Sequence, residues 1–116
     1  MKIAVSSEGR GMDGQISEHF RKCSEFVLVE ADKDQVKSVE VIKNPYFESP
    51  VPGTLPDFIK KIGADVVITG GAGPMAIKAF EERDIKLVLG CKGNVSDAVS
   101  EYLRGTLRVG SNSCEH

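Results

Sequence analysis

The sequence lacks the features of a nucleic-acid-binding surface. It contains no tryptophan, has only 6% aromatic residues and carries a formal net charge of -2. Proteins that bind nucleic acids need clustered positive charge, and those that bind single strands also stack bases on several exposed rings. The composition therefore argues against a nucleic-acid partner.

Long apolar runs and paired cysteines are also missing. No stretch approaches the roughly 20 apolar residues of a membrane-spanning helix, and the chain opens on a strand pattern rather than a signal peptide. The three cysteines, Cys23, Cys91 and Cys114, are far apart and form no Cys-x-x-Cys motif. An odd, dispersed set of thiols suits a reducing compartment. We therefore expect a cytoplasmic protein with no membrane contact.

Several catalytic motifs are absent. There is no Walker motif, no Gly-x-Ser-x-Gly elbow and no zinc-protease helix, and the first strand, Lys2–Ser6, has no carboxylate that could bind a catalytic metal. Adjacent residues rarely point at one another, so the run Ser17, Glu18 and His19 is a poor hydrolytic triad. These absences argue against nucleotide hydrolases, peptidases and nucleases.

What the 116 residues do contain is the pattern of one α/β domain. The first half predicts a strand at residues 3–5 and a hairpin of strands 25–30 and 36–42, and Pro45, Pro50 and Pro52 mark a connection. In the second half, strands alternate with amphipathic helices, which implies a parallel sheet. We predict a mixed sheet of about five strands flanked by helices. The second-half elements are a helix from Leu55 to Gly63 with Thr54 and Asp57 as a capping box, a strand at 66–68, a helix from Pro74 to Arg83, a buried strand at 87–89 and a helix capped by Asn94.

Three glycine-rich loops converge at one edge of this predicted sheet. Ligands of open α/β sheets bind outside the carboxyl ends of the strands. The loops there are residues 6–17, which lead to His19, residues 70–74, and residues 90–94, which contain Cys91. We therefore predict a crevice that holds His19 and Cys91.

The turn at residues 71–76 satisfies the Gly-x-Gly-x-x-Ala form of a dinucleotide fingerprint. The acidic residue expected about 20 positions later is replaced by Gly90 and Cys91, so we favour a tight turn with Pro74 at the first helical position. Because helix N-termini attract negative charge, the free N–H groups of this turn still suit another anion, including a sulfide-rich cluster.

His19 and the cysteines are the candidate metal ligands. A surface or capping role is the commoner fate of a lone histidine, and the loop position of His19 narrows the gap between that role and a functional one. If Ser17 caps a helical turn, His19 and Cys23 share a face and could bind a soft metal together. Burial is the commoner fate of a small cysteine such as Cys23, and Cys91 carries the same ambiguity, although its place at the edge of the sheet favours a functional role. The C-terminal run from Cys114 to His116 is better explained as a frayed tail.

The order of several motifs resembles the dinitrogenase iron-molybdenum cofactor biosynthesis family. The motifs are residues 1–7, residues 16–20 (Ile-Ser-Glu-His-Phe), Asn44 with Pro45, residues 63–68 and residues 70–74. The resemblance covers a domain at residues 1–105 and leaves a tail at 106–116. The sequence resembles the small archaeal and anaerobic bacterial members of the family, and it is similar to NifX, to NafY and to the C-terminal part of NifB.

The resemblance implies a single-domain, three-layer ribonuclease-H-like fold and non-enzymatic binding of an iron-sulfur or molybdenum-iron-sulfur cluster. The resemblance carries His19 over as the cluster contact. We expect the cofactor site to be formed by Ser17, His19, Phe20, Gly71, Gly73 and Pro74. The chain departs from the family pattern after Phe20, where Arg21, Lys22 and Cys23 replace the usual Gly-Arg. Two cationic residues there favour an anionic cluster.

We therefore expect a small cluster-storing or cluster-delivering protein whose metal ligands come from His19, Cys23 and Cys91. Its partners would be the metal cluster and a cluster donor or acceptor protein. Two alternatives stay open. One is an enzyme that binds a phosphorylated small molecule at residues 71–74, and the other is an interaction module that docks a partner ATPase.

Overall fold

The structure, a computed structural model, describes residues 1–46 and 55–107. These residues form five strands, three α-helices and two short 3-10 helices. No helix within these two ranges is both long and apolar enough to cross a bilayer. In chain order the elements are β1 (Lys2–Ser7), the 3-10 helices Gly11–Asp13 and Phe20–Lys22, β2 (Glu25–Asp32), β3 (Gln35–Lys43), α1 (Leu55–Lys61), β4 (Val66–Ile68), α2 (Pro74–Glu82), β5 (Lys86–Val88) and α3 (Val95–Leu103).

The five strands form one mixed sheet in the order β3-β2-β1-β4-β5. The pairs β1–β2 and β2–β3 are antiparallel, whereas β1–β4 and β4–β5 are parallel. The hairpin of β2 and β3 turns at Lys33 and Asp34, and Lys33 has a positive φ of 58°. The prediction of a mixed five-stranded sheet, antiparallel in its first half and parallel in its second, is confirmed.

Side chains on both faces of the sheet are buried, which gives three layers. On β1, Ala4 points to the face covered by α1 and α2, and Ile3 and Val5 point to the face covered by α3. The alternation follows from the two-residue period of a strand, and helices on both faces explain why β1 is apolar throughout. The name ribonuclease-H-like stays a prediction for this architecture.

The helix boundaries follow the predicted signals. Asn94 Oδ1 accepts a 3.2 Å hydrogen bond from Asp97 N and so caps α3, and Pro74 is the first residue of α2. Gly63 follows α1 with a φ of +87°, a conformation that glycine adopts without strain. The predicted cap at Thr54 lies outside the described residues.

The predicted burial of the last strand was wrong. β5 runs from Lys86 to Val88, and Lys86 is exposed while Leu87 and Val88 are half-buried. The reason is topological, because β5 lies at one edge of the sheet and has a neighbour on one side only. At the opposite edge, β3 is exposed along eight of its nine residues.

Candidate functional site

Backbone hydrogen bonds hold residues 16–20, which follow β1, between the loops that follow β4 and β5. Gly70 N donates to Ser17 O at 3.0 Å, and Phe20 N donates to Gly71 O at 2.8 Å. On the other side, Ile16 N donates to Gly93 O at 2.9 Å. The predicted convergence of the three loops is therefore present, with the His19 loop in the middle.

Buried hydroxyl groups support this loop from below. Ser6 Oγ donates to Thr69 Oγ1 at 2.7 Å, and both residues are fully buried. Ser17 is 5% exposed, and its Oγ donates to His19 O at 2.9 Å and accepts from His19 N at 3.3 Å. Ser17 thus fixes the main chain at His19, which is a positioning role rather than contact with solvent.

Phe20 anchors the loop in the core. Its side chain is 1% exposed, and its ring centroid lies 5.1 Å from that of Phe80 and 5.5 Å from that of Phe26. The edge-to-face contact with Phe80 is a favourable aromatic geometry. The adjacent His19 is half-buried at the surface. The accessible imidazole of His19 is therefore followed directly by the buried ring of Phe20.

His19 borders an open cavity of about 320 Å³. Its charged lining is mixed, because Lys22 is cationic whereas Glu8 and Glu18 are anionic. The 3-10 helix Phe20–Lys22 begins directly after His19 and brings Lys22 to the same cavity. The full lining is Glu8, Ser17, Glu18, His19, Lys22 and Ser24.

Cys23 is not part of this cavity. It follows the 3-10 helix in an extended conformation and is 1% exposed, in the core beneath α1 and α2. Burial raises the pKa of the Cys23 thiol to about 12. The side-chain hydrogen bond with Asn44 lowers the pKa by a smaller amount. The condition for joint binding by His19 and Cys23, an α-helical turn that puts them on one face, is not met. At neutral pH the thiol stays protonated, whereas metal binding needs the thiolate.

Cys91 lies on the other face of the sheet, in the core beneath α3. It is 2% exposed, and burial raises the pKa of its thiol to about 11. The sheet thus separates Cys91 from Cys23, and the predicted crevice does not expose Cys91 as it does His19. Among residues 1–46 and 55–107, no group of three or more His, Cys, Asp or Glu side chains could hold a metal ion.

The glycine turn before α2 packs against the His19 loop. A Cβ atom on Gly70 would lie 2.8 Å from Glu18 Cα and 2.9 Å from Ser17 O, so this close approach requires glycine. Gly71 contributes its carbonyl to Phe20, while Gly73 precedes Pro74 in an extended conformation with open space around it. Gly71 supports the loop through this hydrogen bond, and none of Gly71, Gly73 and Pro74 lines the His19 cavity.

Sequence reasoning missed the part that Asn44 plays. Asn44 is 5% exposed, and its Nδ2 donates to Cys23 O at 2.9 Å and to Arg21 O at 3.4 Å. Its Oδ1 accepts from Tyr46 N at 2.9 Å. The signal in the sequence was an asparagine directly before Pro45. Its role becomes clear once it is known to be buried, since buried amides are hydrogen-bonded.

A second cavity, of about 390 Å³, lies on the other side of residues 20 and 21. Phe20, Leu55 and Ala76 form its apolar floor, and the exposed residues Arg21 and Lys78 stand at its rim. Residues 19–22 therefore border two cavities, His19 and Lys22 on one and Phe20 and Arg21 on the other.

Residues 1–105 match the model of the dinitrogenase iron-molybdenum cofactor family, and the chain belongs to that family. The predicted resemblance and its extent are confirmed.

The chain is also similar to individual proteins over most of its length. The crystal structure of PH0822 is 35% identical, with a TM-score of 0.89, and the match covers 99% of this chain and all of that one. The apo form of the orange protein from Desulfovibrio gigas is 30% identical over 96% of this chain and 93% of its own, with a TM-score of 0.82. MJ0580 of Methanocaldococcus jannaschii is 26% identical over 92% of this chain and 89% of its own length.

Proposed function

We propose that this protein binds a preassembled iron-sulfur or molybdenum-iron-sulfur cluster non-enzymatically and stores or delivers it in the cytoplasm, with His19 as the protein ligand. The observation that carries the proposal is the position of His19, half-buried at the mouth of a 320 Å³ cavity in a chain of the iron-molybdenum cofactor family. The cluster is cargo, and the protein contributes one ligand and a fixed surface.

The donor set supports capture of a finished cluster rather than its assembly on the protein. Iron-sulfur clusters built into proteins are commonly held by four cysteine thiolates. Here the thiols of Cys23 and Cys91 are buried on opposite faces of the sheet, and burial raises the pKa of both. A cluster that already carries its own sulfides needs fewer protein ligands, and the imidazole of His19 suits iron.

The fixed main chain around His19 suits a carrier. Hydrogen bonds from Ser17 Oγ, Phe20 N and Gly70 N hold the loop before any cargo arrives. A site that is ordered in advance loses less conformational entropy on binding, so a single ligand contributes more affinity. Lys22 supplies positive charge for an anionic sulfide cluster, and Glu8 and Glu18 oppose it.

The test is an anaerobic titration of the apo-protein with iron-sulfur and molybdenum-iron-sulfur clusters, followed by visible absorbance and bound metal. Wild type is compared with His19→Ala and, as the matched control, His116→Ala, which removes the other histidine. We expect stoichiometric binding that is lost in His19→Ala and kept in His116→Ala.

Two results would overturn parts of this proposal. Equal binding by all three proteins would remove His19 as the ligand and leave the carrier function in place. No binding by any of them would contradict the carrier function itself. Heat protection by sugar phosphates or nucleotides but not by clusters would then favour an enzyme that binds phosphorylated small molecules.

A further inference from the structure

The edge strand β3 combines an open backbone edge with exposed valines. It has a hydrogen-bonded neighbour, β2, on one side only. Val39 is 43% exposed and Val41 is 49% exposed. Their partners on β2, Val29 and Val27, lie in the core beneath α3, so both valines project from that face of the sheet. Open edges of this kind pair with other strands unless charges or bulges prevent it.

The protection of this edge is confined to its ends. A register shift interrupts the β2–β3 ladder at Glu30 and Ala31, near the start of β3. Lys37 and Lys43 flank the central residues Ser38 to Ile42. Lysines and bulges are common devices against edge pairing, and here they leave the centre of the strand open.

We propose that β3 pairs antiparallel with β3 of a second copy of this chain around a two-fold axis at Val39, which joins the two five-stranded sheets into one. Such an axis is perpendicular to the sheet, so each face of one sheet continues into the same face of the partner's sheet. Residues of the same face must therefore oppose one another. Val39 then lies opposite the partner's Val39, Lys37 opposite the partner's Val41, and Ser38 opposite the partner's Glu40.

The charge pattern of the strand selects this register. In the arrangement centred on Val39 no like charges lie directly opposite each other. The Ser38 hydroxyl, which donates to Glu30 Oε2 at 3.5 Å within the chain, would have to rotate to donate to the partner's carboxylate. An axis at Glu40 would place two glutamates opposite each other and Lys37 opposite the partner's Lys43. An axis at Val41 would place Glu40 opposite Ile42 and Val39 opposite Lys43. Like charges in directly opposed positions destabilise strand pairs, whereas paired β-branched residues stabilise them.

This self-complementarity favours a second copy over an unrelated partner. The dimer should be weak, because a single strand pair buries less than the roughly 800 Å² per partner of a standard interface. Sedimentation velocity from about 5 µM to about 500 µM should therefore show a shift from monomer to dimer by mass action.

Charge substitutions at two neighbouring valines test the register. Val39→Lys and Val39→Glu should each weaken dimerisation about tenfold or more, because each puts like charges at the axis, and an equimolar mixture should restore it. Val41→Glu is the matched control, since it faces the partner's Lys37 and should keep or strengthen the dimer, while Val41→Lys should weaken it. All four variants alter exposed side chains, so circular dichroism should report an intact fold.

A monomer at every concentration would overturn the proposal. A dimer that neither Val39 variant weakens would also overturn it, by placing the interface elsewhere. If Val41→Glu disrupted the dimer as strongly as Val39→Glu, the register centred on Val39 would be wrong.

Discussion

The side-chain amide of Asn44 is hydrogen-bonded to the main chain at Cys23, with 2.9 Å between Asn44 Nδ2 and Cys23 O. The bond joins the end of β3 to the segment that carries His19 and Lys22. Asn44 N also donates to Ser24 O at 3.1 Å, so the asparagine holds this segment through its side chain and its main chain.

Replacing Asn44 by Asp should loosen this segment. The change keeps the shape and the acceptor for Tyr46 N, but it removes the donor to Cys23 O and places a buried negative charge beside the carbonyl oxygens of Cys23 and Arg21, so the free energy of unfolding should fall by at least about 1–3 kcal/mol. Chemical denaturation measures it. Asn94→Asp is the control, because Asn94 caps α3 through an acceptor oxygen that Asp retains. Equal destabilisation by both substitutions would contradict a role for the Asn44 donor.

Gly70 and Gly73 should respond differently to alanine. At Gly70 a new Cβ would press against the main chain of Ser17 and Glu18 and should cost about 1–3 kcal/mol by overpacking, with loss of cluster binding. Gly73 has a φ of -75° and no atom within 4 Å of the added Cβ. Alanine there lowers the entropy of the unfolded chain but is a poorer N-cap for α2 than glycine, so stability should stay within about 0.5 kcal/mol of wild type. Thermal unfolding of both variants measures these changes in stability. A Gly70→Ala variant as stable as wild type would show that the loop can move to admit the added Cβ.

The charges around the His19 cavity should tune the affinity for an anionic cluster. Glu8→Gln should raise affinity and Lys22→Gln should lower it, each by about 1.5- to 5-fold, the range expected for exposed charges. Titration at low salt measures both, and the differences should shrink as salt is added. Glu101→Gln, on α3 and outside the cavity, should leave affinity unchanged. Opposite signs at Glu8 and Lys22 would mean a cationic ligand.

The buried thiols predict a stability change in alkali. Burial raises the pKa of Cys23 from 9.0 to about 12, so between these values the thiol ionises in the unfolded chain and stays protonated in the folded one. The contribution of this thiol to the free energy of unfolding should therefore be fully present below pH 9. It should be lost as the pH rises toward about 12. Cys23→Ala should make the alkaline decline less steep.

Cys91 provides the comparison for this measurement. Its pKa is raised from 9.0 to about 11, so Cys91→Ala should flatten the decline over a narrower window. Urea denaturation at intervals from pH 8 to about 11 would show both effects. A decline that is identical in wild type and Cys23→Ala would mean that this thiol ionises as easily in the folded protein as in the unfolded chain.

Local sequence patterns predicted most of the fold. Several strands and helices are specified by residues that are close together in sequence, and the corresponding elements are present. The local signals are the charges around residues 25–30, the apolar strand at 66–68, Pro74 and Asn94. Burial of the last strand was predicted wrongly because Leu87 and Val88 have the composition of a central strand. Strand order decides burial, and it depends on contacts that are distant in sequence.

The candidate site was predictable only in part. The glycine-rich loops and His19 could be placed at one edge of the sheet because parallel strands direct their following loops there. The burial of Cys23 and Cys91 on opposite faces could not be read from the sequence, since it depends on which side of the sheet each loop returns. The cavity charges of Glu8 and Lys22 likewise come from two loops that only the fold brings together.

If a cluster binds at His19 as proposed, the neighbouring residues His19 and Phe20 limit how it can leave. A main-chain displacement at His19 would pull the Phe20 ring away from Phe26 and Phe80 and break the hydrogen bond between Phe20 N and Gly71 O. Rotation of the imidazole about its own side-chain bonds disturbs none of these contacts. A transfer step is therefore cheapest when an acceptor approaches the open mouth of the cavity and exchanges ligands there, while the protein backbone stays still.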